Sequence, residues 1–233
     1  MRRPDPTVLA VVVPARDEET LLPGCLAALR AAAAEVPHVT VDVTVVADAC
    51  RDATADLARR AGAHVVESGR GNVGAARAAG FAAALDRHGA GDGLWLATTD
   101  ADSRVPAGWL VAQLATAAGH DARLGTVVLS DADRHRFRSW VEAYDHGCGP
   151  TRHRHVHGAN LGVAAAAYLR AGGFRPLVSG EDADLVERLR ACGAAIDWSL
   201  DEPVLTSGRH VARAPRGVAA DLRSSIEAEP RIA

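Results

Sequence analysis

Two aspartates spaced by one residue, Asp100-Ala101-Asp102, close the apolar run from Leu94 to Ala97. Carboxylates at i and i+2 beyond the carboxyl end of a strand can share one divalent cation, and that cation can hold a diphosphate. The same pair could instead be a solvated turn ahead of a helix starting near Pro106. Asp48 ends an earlier apolar run, Val39 to Val46, within Asp48-Ala49-Cys50-Arg51-Asp52. A carboxylate there can accept the N–H of a base, or it can cap a helix starting near Thr54, for which Asp52 is better placed. Glu181-Asp182-Ala183-Asp184 opens a helix after Gly180. Acids at that position complement the helix dipole, and one facing a cleft can act as a general base. Spacing leaves both readings open.

Three further clusters carry chemistry. Gly69-Arg70-Gly71-Asn72-Val73-Gly74 matches the glycine pattern of dinucleotide sites. It follows the third strand rather than the first, however, and the next strand ends in two spaced aspartates instead of one ribose-binding acid. The turn can still approach a phosphate, with Arg70 or Arg77 supplying charge. His153-Arg154-His155-Val156-His157 places alternate residues on one strand face. It could bind a metal, line an anionic or polyhydroxylated acceptor site, or be a solvated basic surface. Thr206-Ser207-Gly208-Arg209-His210 follows the last strand, where Arg209 or His210 could neutralise a departing diphosphate or sit in a plain loop.

These groups need a scaffold that gathers strand ends. Val8 to Val13 is a continuous apolar run of the kind found in fully buried strands, ended by Pro14. Asp17, Glu18 and Glu19 then open a helix to about Ala34. Strands at Val39–Val46, His64–Glu67 and Leu94–Ala97 alternate with a short helix ending near Gly62 and an alanine-rich helix, Asn72–Leu85. Such alternation implies a parallel sheet with right-handed crossovers. Beyond it come a helix Pro106–Ala118, a strand Thr126–Leu129 and a polar, irregular stretch from Ser130 to His157. A strand Asn160–Val163 follows, then helices Ala164–Ala171 and Asp182–Ala191, the first stopped by Gly172 and Gly173. Ile196–Trp198 and Val204–Thr206 are short strands, and the chain after Arg216 has weak periodicity. The expected layout is one domain over 1–233, with a nucleotide-binding half (7–102), an acceptor-binding half (103–213) and a flexible tail (217–233).

The 233 residues are 48% hydrophobic and 4% aromatic, which suits one α/β domain with a buried core. A net charge of −3 argues against a general nucleic-acid binder. Cys25, Cys50, Cys148 and Cys192 form no CxxC pair and are expected as reduced thiols. The N-terminus lacks the apolar region of a signal peptide, and no stretch reaches the roughly 20 apolar residues of a membrane helix. The expected location is cytoplasmic.

Together the motifs resemble glycosyltransferase family 2, which has the GT-A fold: a Rossmann-like nucleotide-binding half with a mostly parallel sheet and helices on both faces. Val11 to Glu19 looks like that family's opening strand and nucleotide loop. Val45 to Asp52 resembles its second strand, Asn72 to Arg77 its third turn, and Asp100-Ala101-Asp102 its DxD. His157-Gly158-Ala159-Asn160, Gly172-Gly173-Phe174 and Gly180 to Leu185 with Arg188 resemble its acceptor-side signature. The similarity spans about residues 8 to 213. Ala47 departs from the pattern, standing where an aspartate is common. No QxxRW helix or C-terminal membrane helices are present, which makes a processive polysaccharide synthase unexpected.

The resemblance implies a metal-dependent, inverting transfer from a nucleotide-sugar donor, UDP favoured, to a small-molecule, lipid-linked or glycan acceptor. Pro14, Ala15, Arg16, Glu18 and Asp48 would hold the nucleotide, with Arg70, Gly71, Asn72 and Arg77 near the donor. Asp100 would contact ribose or the cation, and Asp102 and His210 would bind Mn²⁺ or Mg²⁺. Asp182 would be the base, with His157, Gly158, Asn160, Glu181 and Arg209 serving acceptor or diphosphate. A homodimer is compatible with this reading. Its rivals are a retaining transferase acting on a phosphoglycerate-like acceptor, an NAD-dependent oxidoreductase using Gly69–Gly74, and a non-catalytic nucleotide-sugar-binding protein.

Overall fold

The computed structural model describes residues 5–209 and 217–228. Its first half alternates β1 (Val8–Ala15), α1 (Leu22–Ala34), β2 (Thr40–Asp48), α2 (Thr54–Arg60), β3 (His64–Ser68), α3 (Val73–His88) and β4 (Leu94–Thr98). β1 pairs parallel with β2 on one side and β4 on the other, and β3 pairs parallel with β2. The alternation along β1 explains the layers. Leu9, Val11 and Val13 pack with Leu22 and Leu29 of α1, whereas Ala10 and Val12 pack with Phe81 and Ala84 of α3. A strand whose successive side chains enter opposite layers must be apolar throughout. Each fully buried Val or Leu contributes about 1.5–3 kcal/mol.

The second half holds α4 (Trp109–Ala117), β5 (Ala122–Val128), α5 (Asp131–Arg136), α6 (Arg138–Asp145), a 3₁₀ turn (Gly158–Asn160), β6 (Leu161–Ala164), α7 (Ala165–Arg170), α8 (Glu181–Ala191), β7 (Ile196–Leu205) and α9 (Val218–Ala228). The sheet order is β3-β2-β1-β4-β6-β5-β7. β6 runs antiparallel to both neighbours, and β7 runs parallel to β5. The sheet is therefore mostly parallel, as expected.

Several boundaries differ from the sequence reading for local reasons. The acids at 17–19 anchor a loop instead of opening α1. Asp17 has φ +50°, its carboxylate accepts the Arg51 N–H at 2.7 Å, and the Glu18 N–H donates to Thr54 Oγ1 at 2.8 Å. The two short strands expected near 196 and 204 are one strand, with a pairing irregularity opposite Gly125–Val127 and polar residues through its middle. The stretch from Ser130 forms two helices. Phe137 beside them packs with Leu129 and with Leu222 of α9, so a helix also forms in the segment expected to be a flexible tail. All four cysteines are unpaired thiols, and no helix among the described residues is long and apolar enough to cross a membrane.

Candidate functional site

A cleft of about 380 Å³ opens at the carboxyl ends of β1, β2 and β4, where ligands of open α/β sheets bind. Of the expected site residues, its lining includes Pro14, Ala15, Arg16, Glu18, Asp48, Gly71, Asn72, Arg77, Asp100, Asp102, His157, Gly158, Glu181, Asp182 and Arg209. Two expectations fall elsewhere. The Arg70 side chain is exposed and outside the lining, and only its N–H is engaged. Asn160 is wholly buried: it accepts from Trp109 Nε1 at 2.8 Å and donates to the carbonyls of Thr126 and Glu202. Its amide ties β5, β7 and α4 together with both protons engaged, and it does not line the cleft where an acceptor residue was expected. His210 lies outside the described residues.

Asp48 shows how the β2 end is built. Its buried carboxylate accepts the N–H groups of Arg70 (2.9 Å), Gly71 (3.0 Å) and Asn72 (2.7 Å). Gly71 sits at φ +59°, a conformation that suits glycine. Asn72 Oδ1 then caps α3 by accepting the Ala75 N–H. A pyrophosphate in a dinucleotide site needs those same backbone N–H groups. Here a carboxylate already takes them, and this weighs against the NAD reading of the glycine pattern. Asp52 takes the helix-start role, accepting from the N–H and hydroxyl of Thr54. Asp17, Cys50 and Asp52 are close enough to share an ion, but their atoms are engaged in these same loop contacts.

Arg77 forms the buried centre. Its side chain is 3% exposed and ion-paired with Glu181 and Asp100, and Nε donates to Thr98 Oγ1 at 3.3 Å. Burial disfavours its charge, but Asp100, Glu181 and Asp182 outweigh burial and raise its pKa. Burial raises that of Glu181, Arg77 opposes the shift, and Asp182 adds to it. Arg77 therefore positions carboxylates from two halves of the chain and is not a free phosphate ligand. The arrangement needs glycine at 158, where a Cβ would lie 2.4 Å from the guanidinium.

Asp182 lies one residue into α8, half-buried on the cleft wall. One oxygen accepts the Gly158 N–H and the other the Ala183 N–H, each at 2.8 Å. Two backbone donors fix the carboxylate while leaving lone pairs for a substrate proton. Beside it, burial pushes His157 down to about 4, although Asp182 pulls the other way. The Tyr144 hydroxyl lies 3.0 Å from His157 Nε2 and accepts the Val127 N–H, leaving its own proton to donate to Nε2. His153 and His155 bond backbone carbonyls of Leu124 and Tyr144 and so fill structural roles.

A pH effect follows from His157. Its folded pKa lies below the unfolded value, so the unfolded chain binds the extra proton. Stability from this group is present above about pH 6.5 and is lost toward pH 4, in total roughly 3 kcal/mol. Urea midpoints measured across pH 4 to 7 should show this slope in the native protein and a flatter one in His157→Gln. Equal slopes would mean that the ring titrates normally.

Asp102 and Glu18 face Arg209, which bonds both at 2.8 Å. Burial pushes the Asp102 carboxyl up to about 6. Arg209 pulls it down, and Asp100 and Glu18 push it up again. Glu18 and Asp102 share one guanidinium, and Asp100, held by Arg77, is near enough to act on Asp102, so the cleft offers hard carboxylate oxygens. Such oxygens fit Mn²⁺ or Mg²⁺. The sequence reading missed the other side of the cleft. Val178 and Ser179 of the loop before α8, and Gly217 to Asp221 at the start of α9, also line it. No motif marks them in the sequence.

The family model of glycosyl transferase family 2 matches residues 10–142. No curated protein matches the sequence. Among solved structures, S. aureus TarS 1–349 in complex with UDP-GlcNAc has a TM-score of 0.65 at 15% identity, covering 90% of this chain and 61% of that one. The mannosyltransferase PcManGT from Pyrobaculum calidifontis, with GDP-Man and Mn²⁺, has a TM-score of 0.59 at 22% identity, covering 87% and 57%. Glucosyl-3-phosphoglycerate synthase from Mycobacterium tuberculosis, with Mn²⁺, UDP and phosphoglyceric acid, has a TM-score of 0.63 at 17% identity, covering 97% and 80%. The chain thus spans 61% and 57% of the first two structures and 80% of the third, and at these identities the likeness is one of fold.

Proposed function

The chain belongs to glycosyl transferase family 2, and on that premise we propose that it moves a sugar from a nucleoside-diphosphate donor, UDP favoured, to an acceptor hydroxyl with inversion. One observation carries this reading. The Asp100-Ala101-Asp102 motif and Asp182, some eighty residues apart, open onto a single cleft, and Arg77 ties Asp100 to the residue preceding Asp182. A cation held at one part of a cleft and a general base at another would together serve displacement at an anomeric carbon.

In this reading Asp182 takes the proton of the acceptor hydroxyl. The acceptor oxygen bonds to the anomeric carbon as the bond from that carbon to the diphosphate oxygen breaks. A cation held by Asp102, with Asp100 beside it, would offset charge on the leaving diphosphate. Arg209 supplies a second positive group nearby. Pro14, Ala15 and Arg16 form the wall for the base, and Asp48 holds the turn beneath it. The neighbours described with UDP-GlcNAc, with GDP-Man and Mn²⁺, and with UDP and Mn²⁺ support a nucleoside-diphosphate donor and a divalent cation.

The test is thermal unfolding with UDP, GDP, dTDP, CDP or NAD, each with Mn²⁺ or a chelator. A ligand at a hundredfold excess over its dissociation constant stabilises the folded state by about 2.7 kcal/mol. One nucleoside diphosphate should raise the midpoint only with Mn²⁺, and Asp102→Ala should remove the metal-dependent part. A metal-independent shift with NAD alone would overturn the transferase reading. The anomeric configuration of the product, read by NMR, tests inversion.

A further inference from the structure

Arg209 follows β7 and reaches back to two separate strand ends. Nη1 lies 2.8 Å from Glu18 Oε1 beyond β1, and Nη2 lies 2.8 Å from Asp102 Oδ2 beyond β4. Glu18 and Asp102 are nearly buried, at 6% and 12% side-chain exposure, while Arg209 is 27% exposed. Among the described residues its buried Nε has no hydrogen-bond partner, so two of its three nitrogens are directed to carboxylates and the third to neither. The guanidinium thus bonds the carboxylate that the DxD motif offers to a cation.

Resting on the donor-site reading above, we infer that Arg209 is an internal counter-ion which the divalent cation must displace, and that this exchange couples cation binding to diphosphate binding. The physical argument is one of charge and geometry. A cation bound to Asp102 competes for the carboxylate that Nη2 now bonds through Oδ2, and places a divalent charge beside a guanidinium. The two positive groups repel each other, so the guanidinium has to leave Asp102. Once displaced, its Nε–Nη2 edge lacks an anion while Nη1 still faces Glu18, and phosphate oxygens fit that edge in paired hydrogen bonds. A nucleoside diphosphate supplies such oxygens. The cation alone therefore binds against the cost of breaking the Arg209–Asp102 pair, and the diphosphate alone meets a guanidinium already engaged. Arriving together, each relieves the obstacle to the other. By linkage, the factor by which diphosphate tightens the cation equals the factor by which the cation tightens diphosphate.

The experiment measures Mn²⁺ binding itself, from the electron paramagnetic resonance signal of free Mn²⁺, with and without UDP or GDP, whichever the unfolding panel selects. The native protein should bind Mn²⁺ weakly alone and far more tightly with the diphosphate. Arg209→Gln removes the counter-ion. It should bind Mn²⁺ alone roughly tenfold more tightly than the native protein, and the gain from adding diphosphate should shrink by a similar factor. Arg209→Lys, which keeps the charge without the fork, should fall between the two. Asp102→Asn should remove Mn²⁺ binding in both backgrounds, and unfolding midpoints confirm that each variant is folded. If Arg209→Gln binds Mn²⁺ alone no more tightly than the native protein while the native protein shows diphosphate-dependent binding, the counter-ion role is wrong and the donor site stands. If none of the nucleoside diphosphates tested tightens Mn²⁺ binding to the native protein, the donor-site reading fails and this inference fails with it.

Discussion

Asp182→Asn should lower the rate of sugar transfer about a thousandfold, within the range seen when a positioned general base is lost, while the dissociation constant for the metal–nucleotide pair stays nearly unchanged. The amide keeps the shape of the side chain but cannot take a proton from the acceptor hydroxyl. A second, smaller effect is built into the geometry. Both carboxylate oxygens accept backbone N–H groups, from Gly158 and Ala183, and an amide nitrogen can replace neither acceptor. One donor therefore loses its partner, at a cost of about 1 kcal/mol, which corresponds to a few degrees in the unfolding midpoint. Steady-state transfer, nucleotide binding and thermal unfolding of the same preparation separate the two effects. Near-normal transfer with only the small thermal loss would show that Asp182 merely caps α8 and anchors Gly158.

The second large effect concerns stability. Arg77→Met should destabilise the fold by about 3–5 kcal/mol, because Glu181 loses the cation that offsets its burial and the half-exposed Asp100 loses its partner. For a chain of this size that is on the order of 10 °C in the unfolding midpoint. The deficit should shrink as pH falls. Burial already raises the Glu181 pKa, and without Arg77 it rises further, so the folded state of the variant binds the extra proton and gains stability in acid. The double variant Arg77→Met/Glu181→Leu should recover part of the loss, since no unpaired carboxylate remains at 181. Arg77→Lys should not restore the native midpoint, because one ammonium cannot present the fork that reaches both acids. A single variant as stable as the native protein across this pH range would mean that the two carboxylates are hydrated and that Arg77 does not organise the cleft.

These two residues also mark the boundary between what the sequence determined and what the tertiary structure decided. The alternation of apolar runs with alanine-rich helices from Val8 to Thr98 implied the parallel half-sheet, because burial on both faces leaves few polar positions in a strand. The carboxylates at Asp48, Asp100 and Asp102 were identifiable as strand-end groups, since their place follows from where each apolar run stops. The glycines at 172 and 173 marked the end of α7 because both adopt positive φ. Periodicity is a local property, and local properties can be read along the chain. The helices at Asp131–Arg136, Arg138–Asp145 and Val218–Ala228 were not legible, because their stability comes from one another: Phe137 and Leu222 share a small satellite core that neither segment signals alone.

The roles of the polar residues were the least legible, and for a different reason. Asp48, Asn160, Arg77 and Arg209 each carry groups that can cap a helix, pair with a charge, tie two strands together or hold a ligand. Residue type is the same in all four cases, and only the partner distinguishes them. The partner of Arg77 lies 104 residues away at Glu181. Asn160 meets carbonyls 34 and 42 residues distant, and Arg209 reaches Glu18 at the opposite end of the chain. Which hydrogen-bonding groups remain for a substrate is what is left after the fold has satisfied its own buried polar atoms, and that remainder is set by three-dimensional packing alone.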